Sequence, residues 1–304
     1  MGEAEVVHGQ SYCSASSLEK LHVGWSRCPE EGAQDSGVEQ REAVGQRYGE
    51  HLNDHDLLAL AGDRAEQAPM LRREPALVLD LLDRPDVADA VLAARRDERG
   101  RFSYISPFLV FAAAVHRTSN ALVGRSYVTD RTGPRSRLPV FDGPALAAFA
   151  TEPQHRLFLA ELLASYARLA SGVVWRRGER GWQRQRWDEL DLVRLAALRE
   201  ALPADEQPGV WRRIGDGALF LAGVFPEYAE RSLGLVEIAR LQRATGLRLS
   251  TAEGPISELL EELAGRAYQR VGVSVPRAVV ESPRSARRML TLIADRYLFP
   301  IFTD

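Results

Sequence analysis

Residues 153–187 read PQHRLFLAELLASYARLASGVVWRRGERGWQRQRW, and this stretch decides the fold. Nearly every residue from 157 to 170 is apolar, and the polar exceptions Glu161, Ser165 and Arg168 follow one another at intervals of four and three. In a helix of ~3.6 residues per turn, these three side chains lie on one narrow stripe. A surface helix has a wider polar face, so we predict that protein covers this helix on nearly all sides.

Residues that favour helix termini mark both ends of this helix. Pro153 suits a first turn, where its missing N–H costs no hydrogen bond. Ser171-Gly172 supplies the glycine at which helices commonly end. These signals predict a central helix over about residues 153–171. Together with the helical periodicity of the rest of the chain, they predict a mainly α fold, a multi-helix bundle around this central buried helix.

The second half of the stretch has the pattern of a two-stranded ribbon. Two runs rich in valine, tryptophan and arginine flank Gly178-Glu179-Arg180-Gly181, and a Gly-x-x-Gly segment is typical of a turn. We therefore predict one β-hairpin over about residues 173–187, followed by a helix that begins with the acidic residues 188–191. A lone hairpin is marginally stable in water, so this one must pack on the body of the protein.

The hairpin is basic and aromatic, with five arginines against one glutamate. Two interpretations are open. The arginines could contact phosphates while tryptophans stack on bases, or the tryptophans could pack on the central helix while the arginines form a solvated face. The candidate nucleic-acid-binding residues are Arg176, Arg177, Arg180, Trp182, Arg184 and Arg186.

The composition is that of an ordinary globular protein. The chain has 304 residues, 45% hydrophobic and 27% charged, with a net charge of −3. That charge argues against a surface that binds nucleic acid throughout, although a local patch remains compatible with it. Lys20 is the single lysine, so arginine fills nearly every basic position and its local abundance is weak evidence for phosphate binding.

Residues 1–50 differ from the rest in being poor in apolar residues and in lacking periodicity. They predict a disordered tail or a misassigned start, followed by a single helical domain over 51–304 that could divide near 120–142. Cys13 and Cys28 are the only cysteines, so the body is not a disulfide scaffold. With His22 they match no paired-cysteine spacing for zinc.

No apolar run approaches the ~20 residues that span a bilayer, and the N-terminus lacks the order of a signal peptide. The longest runs, residues 108–115 and 218–225, are far shorter. We therefore expect a cytoplasmic protein without a membrane partner.

Histidines and acids provide few candidates for chemistry. The acid–base candidates are His116, His155, Glu161, Asp216 and Glu227, and no pair among them stands out. Glu161 is the first to examine, because it interrupts an apolar helix. We expect His116 near the C-terminal end of a helix that starts at Ser106-Pro107, where the helix dipole favours a cationic imidazole.

His51 and His55 are four residues apart, a spacing that can place two imidazoles on one metal. The sequence shows no third ligand, and Asp54 and Asp56 fit a helix start better. Gly215-Asp216-Gly217 is either a phosphate-binding loop or a place where two helices approach closely. We favour the second interpretation, and predict no metal, cofactor or catalytic residue.

Several arginines are expected at the surface because no apolar pattern includes them. In the loop-rich segment after residue 120 these are Arg131, Arg135 and Arg137. In the last helix, which starts at Ser282-Pro283, the same expectation applies to Arg284, Arg287 and Arg288, with Met289 and Ile293 facing inward.

The run IGDGALFLAGVFPEY at 214–228, taken with GVVWRRGERGWQRQRW at 172–187, resembles a family of mainly helical actinobacterial proteins of unknown function. The likeness extends over residues 105–230. It implies a helix of the form GD-x-ALFL-x-GxFP ending beside a tryptophan-bearing hairpin. It implies no activity.

The sequence is therefore compatible with three functions. The first is a non-enzymatic helical interaction or regulatory protein whose partner is another protein, which rests on the lack of any legible catalytic pattern. The second is nucleic-acid binding through the hairpin 173–187. The third is an enzyme whose site the sequence does not reveal, since catalytic groups are often distant in the chain.

Overall fold

The computed structural model describes residues 36–94, 105–131, 137–178, 181–250, 254–272 and 274–299, and within the hairpin it describes residues 174–178, 181–183 and 185 by their backbone. The helices are α1 Ser36–His51, α2 Asp54–Ala61, α3 Ala68–Arg73, α4 Ala76–Asp83, α5 Pro85–Ala94, α6 Pro107–Leu122, α7 Gly143–Thr151, α8 Pro153–Ser165, α9 Leu192–Arg199, α10 Gln207–Val224, α11 Pro226–Ser232, α12 Leu235–Thr245, α13 Ile256–Tyr268, α14 Arg277–Glu281 and α15 Pro283–Ile293. The strands are β1 Val128–Arg131, β2 Arg137–Val140, β3 Ser171–Gly178 and β4 Gly181–Asp188. A 3₁₀ turn, Ala65–Gln67, precedes α3, and a π-helical turn, Ala294–Leu298, follows α15.

Helices dominate the fold, and the predicted mainly α bundle with a hairpin near 173–187 is confirmed. Strands β3 and β4 pair antiparallel, as do β1 and β2. The second pair lies in the segment after residue 120 that the sequence predicted to be loop-rich. Contacts between Cα atoms divide the described residues into two compact units, one made of those within 29–167 together with 288–299 and the other of those within 168–287. They are called the 29–167 unit and the 168–287 unit below.

The 29–167 unit is built around α8. All residues from His155 to Leu163 are buried, and the helix packs against α6, α7 and α1. The predicted burial of this helix is confirmed, but its predicted end was wrong. The helix stops at Ser165, because Tyr166 N donates to Leu163 O and Ala167 N to Ala164 O in a tighter turn. The run of apolar residues therefore continues beyond the helix itself.

Helix α1 occupies residues that the sequence assigned to the tail. Residues 36–50 form most of this helix, with Val44 and Tyr48 buried, and α1 packs against α4 and α8. Few apolar residues are enough to pack α1, because Gly45 lets its backbone approach the backbone of α4 closely. A Cβ atom on Gly45 would lie 2.6 Å from Ala76 Cα. The remaining tail residues, 1–35, lie outside the described ranges, as does the proposed cysteine–histidine set.

The 168–287 unit is built around α10, of which every residue from Val210 to Val224 is buried. It packs chiefly against α13 and α9. At the crossing with α13, a Cβ atom on Gly215 would lie 2.4 Å from Tyr268 Cε1. The close helix approach predicted for this glycine is therefore what the structure shows. The phosphate-loop alternative is wrong, since residues 215–217 lie inside a helix and are buried.

Candidate functional site

The β3–β4 hairpin is the candidate binding site, and its register fixes which residues share a face. Across the two strands Val173 pairs with Arg186, Trp175 with Arg184, and Arg177 with Trp182. Directly opposed residues lie on the same face of a ribbon, and residues two apart along a strand do too. These six positions therefore form one face, called the outer face below.

The opposite face of the ribbon contacts the rest of the unit at the base of the ribbon. Trp187 is buried there, and a Cβ atom on its partner Gly172 would lie 2.9 Å from the indole Nε1. Glycine at 172 is thus required for the indole to approach β3 this closely. On the outer face the next two residues along β4, Arg186 and Arg184, are exposed. The alternation along β4 shows which face of the ribbon meets solvent.

The register sorts the predicted binding residues. It places Arg177, Trp182, Arg184 and Arg186 on the outer face and Arg176 on the face of Trp187. Arg180, the sixth of them, lies outside the described residues.

A buried ion pair between Glu189 and Arg213 holds the base of the ribbon, and no pattern in the sequence indicates it. Ala170 N donates to Glu189 Oε2 at 2.9 Å, and Glu189 N donates to Ala170 O at 3.2 Å. Arg213 Nη2 lies 2.9 Å from Glu189 Oε1. The sequence interpretation made residues 188–191 the start of a helix. Instead Glu189 closes the ribbon, and Asp191 caps α9 by accepting from Arg194 N at 3.0 Å.

The 29–167 unit contains the one grouping of described residues that resembles a catalytic relay. Tyr48 Oη lies 3.0 Å from His116 Nε2, and His116 Nδ1 lies 2.8 Å from Asp83 Oδ1. Arg156 Nη1 donates to the same carboxylate oxygen at 2.5 Å, and Arg156 Nε donates to Ala150 O at 2.7 Å. Because Nδ1 faces a carboxylate it carries the ring proton, so Nε2 accepts from the tyrosine hydroxyl.

Burial sets the protonation of this relay. It lowers the pKa of His116, a shift that the hydrogen bond to Asp83 partly opposes. It also raises the pKa of Tyr48 far above its ordinary value. For Asp83 burial favours a higher pKa, but the hydrogen bonds and charges of His116 and Arg156 outweigh it and the pKa falls. The relay therefore consists of a neutral tyrosine, a neutral histidine and an ionised carboxylate paired with arginine.

The tyrosine and the histidine of the relay are closed to solvent in this fold. Tyr48 is 0% exposed and His116 is 1% exposed, so the hydroxyl end of the relay meets only protein. A nucleophile or general base needs its reacting atom within hydrogen-bond reach of the substrate. The relay joins α1, α4, α6 and α8 through buried hydrogen bonds. The expectation for His116 was wrong, since α6 continues to Leu122 and the histidine lies within it as a neutral ring.

The other acid–base candidates are also engaged in structural contacts. Glu161 is buried and accepts from Arg47 Nη2 at 2.8 Å and from His51 Nε2 at 3.1 Å. His155 stacks on Phe149, and its Nδ1 lies 2.8 Å from the Phe149 carbonyl oxygen. Burial lowers the pKa of His155, and that hydrogen bond partly opposes the shift.

Asp216 lies buried in the 168–287 unit. Its carboxylate accepts from Arg212 Nε at 2.9 and 3.0 Å and from the Tyr268 hydroxyl at 2.8 Å. Glu227, the last acid–base candidate, lies in the first turn of α11.

The two histidines that are four residues apart have different surroundings. His51 contacts Glu161, whereas His55 is exposed on α2. Asn53 and Asp56 form a reciprocal capping box with both hydrogen bonds at 3.0 Å, as the capping interpretation required. Within the described ranges, no three His, Cys, Asp or Glu side chains gather closely enough to hold a metal ion.

The arginines predicted at the surface divide into two groups. Arg284 is exposed as expected, but Arg287 and Arg288 are buried, so that prediction was wrong for both. Arg287 donates to Glu261, while Arg288 Nε donates to Asp130 Oδ2 at 2.9 Å.

The arginines of the β1–β2 pair also have an acidic partner. Arg131 and Arg137 share Asp295, with Arg137 Nη2 at 3.0 Å from its carboxylate. Arg131 is largely covered, whereas Arg137 is exposed as expected. Arg135 lies outside the described residues.

Comparison with family models, with curated proteins and with solved structures finds no match. The resemblance to the actinobacterial family therefore stays a prediction. In the part of the chain that the structure describes, no helix combines the length and the hydropathy that a bilayer crossing requires.

Proposed function

We propose that this chain is a binding protein that acts through contacts rather than by catalysis, with the outer face of the β3–β4 ribbon as its binding surface. The observation that carries the proposal is the alternation along β4, where Trp187 is buried while Arg184 and Arg186 are exposed. The base of the ribbon is thus anchored through Trp187, while Arg184 and Arg186 are presented on the other face. The burial of the Tyr48–His116 relay supports a role without chemistry.

The character of the outer face favours nucleic acid as the partner. Its six positions hold three arginines, two tryptophans and a valine. The base of the ribbon is closed by Glu189, whose partner is Arg213, so that acid does not neutralise the arginines of the outer face. Arginine recognises phosphate through its planar fork of donors, and tryptophan offers a stacking surface for bases.

The salt dependence of binding tests this proposal. A labelled DNA oligonucleotide, single-stranded or duplex, is titrated with the full chain between about 50 and 200 mM salt, with fluorescence anisotropy as the readout. If Arg184 and Arg186 each neutralise one phosphate, replacing both by alanine flattens the slope of log K against log salt by about 1.4 for a single strand or about 1.8 for a duplex.

The matched control replaces Arg243 and Arg248, two exposed arginines of the same unit that lie outside the ribbon. It removes the same charge and should leave the slope unchanged. An equal effect of both double variants would show that only net charge matters, and would reject the ribbon as the site. Failure of both DNA forms to bind at low salt would reject nucleic acid and leave a protein as the class of partner.

A further inference from the structure

We infer that the outer face of the ribbon selects unpaired nucleotides over duplex, an inference that rests on the proposed function. The first observation is the order of residues across the two strands. Trp175 is opposite Arg184, and on the next rung Arg177 is opposite Trp182. Two neighbouring rungs therefore each combine one arginine with one tryptophan, in opposite order.

This arrangement places both kinds of contact that a single strand needs on one face. Neighbouring positions on one face of a strand are about 7 Å apart, and opposed positions are about 5 Å apart. Because the order reverses, the two tryptophan positions lie on one diagonal of the face, about 7–8 Å apart, and the two arginine positions lie on the other, so bases placed along the first diagonal have an arginine position on either side for their phosphates. The three rungs cover about 14 Å, which limits the contact to a few nucleotides.

The chemistry of the outer face suits a duplex poorly. Bases in a duplex cover one another's faces and present only their edges in the grooves. Tryptophan has a single donor and no acceptor, so it reads those edges badly. Glutamine is suited to an adenine edge, but the register places Gln183 and Gln185 on the face of Trp187. The outer face therefore combines groups that stack with groups that bind phosphate, and arginine alone is left to read a groove.

The full chain is tested with labelled oligothymidylate and with a mixed-sequence duplex of equal length, at one salt concentration. We expect the single strand to bind at least about tenfold more tightly, since stacking adds to the shared phosphate contacts. Trp175→Ala and Trp182→Ala should each weaken single-strand binding by about 5- to 150-fold, as expected for losing one stacked base. Each should change duplex binding by less than about twofold.

Phenylalanine variants at the same two positions provide the control, because they keep an aromatic surface and should retain most of the single-strand affinity. Quenching of the wild-type tryptophan fluorescence by unlabelled oligothymidylate is a second readout that needs no variant. Saturable quenching by the single strand, with none by the duplex, supports the inference.

Two results would overturn this inference and leave the proposed function intact. One is duplex binding as tight as single-strand binding, and the other is single-strand binding that leaves the tryptophan emission unchanged. If neither oligonucleotide binds, both proposals fail together.

Discussion

Replacing Asp83 by asparagine should destabilise the 29–167 unit by about 3 kcal/mol. The carboxylate accepts from His116 and Arg156, and the Arg156 side chain is only 8% exposed. Removing the negative charge leaves a buried cation without its partner, which typically costs about 3–5 kcal/mol. The Asp83 side chain is 35% exposed, so water replaces part of the lost interaction and the lower end of that range applies.

The free energy of unfolding is measured by urea titration at neutral pH, with thermal unfolding as a second readout. A loss of this size corresponds to a fall in Tm of roughly 6–12 °C at about 2–4 °C per kcal/mol. Asp80→Asn is the matched control on the same helix. Asp80 is 62% exposed and pairs at the surface with Arg41, so its replacement should cost at most about 1 kcal/mol.

A second substitution tests the cause of the effect. Arg156→Met removes the buried cation, so in the Asp83→Asn background it should recover part of the lost stability. Equal losses for the Asp80 and Asp83 variants would refute the reasoning, since burial would then have no influence. A double variant less stable than Asp83→Asn alone would show that the guanidinium contributes mainly through its other contacts.

Two further predictions concern protonation and packing. The lowered pKa of His116 means that below about pH 6.5 the unfolded chain binds a proton which the folded chain does not, so stability falls as the pH falls. His116→Gln should reduce the loss of Tm between about pH 7 and pH 5, and an unchanged pH slope would contradict this. Gly215→Ala should cost about 1–3 kcal/mol in urea unfolding, because the new methyl group displaces Tyr268 from Asp216. Gly37→Ala, at an exposed site in the first turn of α1 with nothing within 4 Å, should instead cost no stability and gain at most about 1 kcal/mol, and similar values for both glycines would argue against the close approach.

The central helix and the hairpin were predicted well, because each depends on a pattern of neighbouring residues in the chain. The narrow polar stripe of α8 correctly indicated a buried helix, and the Gly-x-x-Gly turn correctly indicated the hairpin. The helix end was missed because Leu169 and Ala170 continue the apolar pattern after the backbone has turned. The sequence carries no separate signal for the hydrogen bonds that tie Ala170 to Glu189.

The relay could not be predicted, because its members are far apart in the chain and each has a sufficient local explanation. His116 is 68 residues from Tyr48 and 33 from Asp83. A histidine within a helical pattern is as compatible with a helix terminus as with a buried hydrogen bond. Only the packing of α4 and α6 brings the carboxylate to the ring.

The buried arginines were missed for a related reason. Arginine usually marks the solvent face of a helix, so Arg287 and Arg288 were assigned outward from their spacing. A carboxylate on another element reverses that expectation, as Glu261 does for Arg287 and Asp130 for Arg288. Helical periodicity identifies the residues that share a face. It does not reveal whether an acid from elsewhere in the fold meets that face.

The packing of Trp187 against Gly172 separates the attachment of the ribbon from its exposed face. Trp187, which attaches the ribbon, and Arg184 and Arg186, which belong to the proposed binding face, lie on opposite faces of the same strand. Substitutions at 184 and 186 should therefore leave the packing of Trp187 intact. If the outer face binds as proposed, its preference could change while the scaffold stays the same.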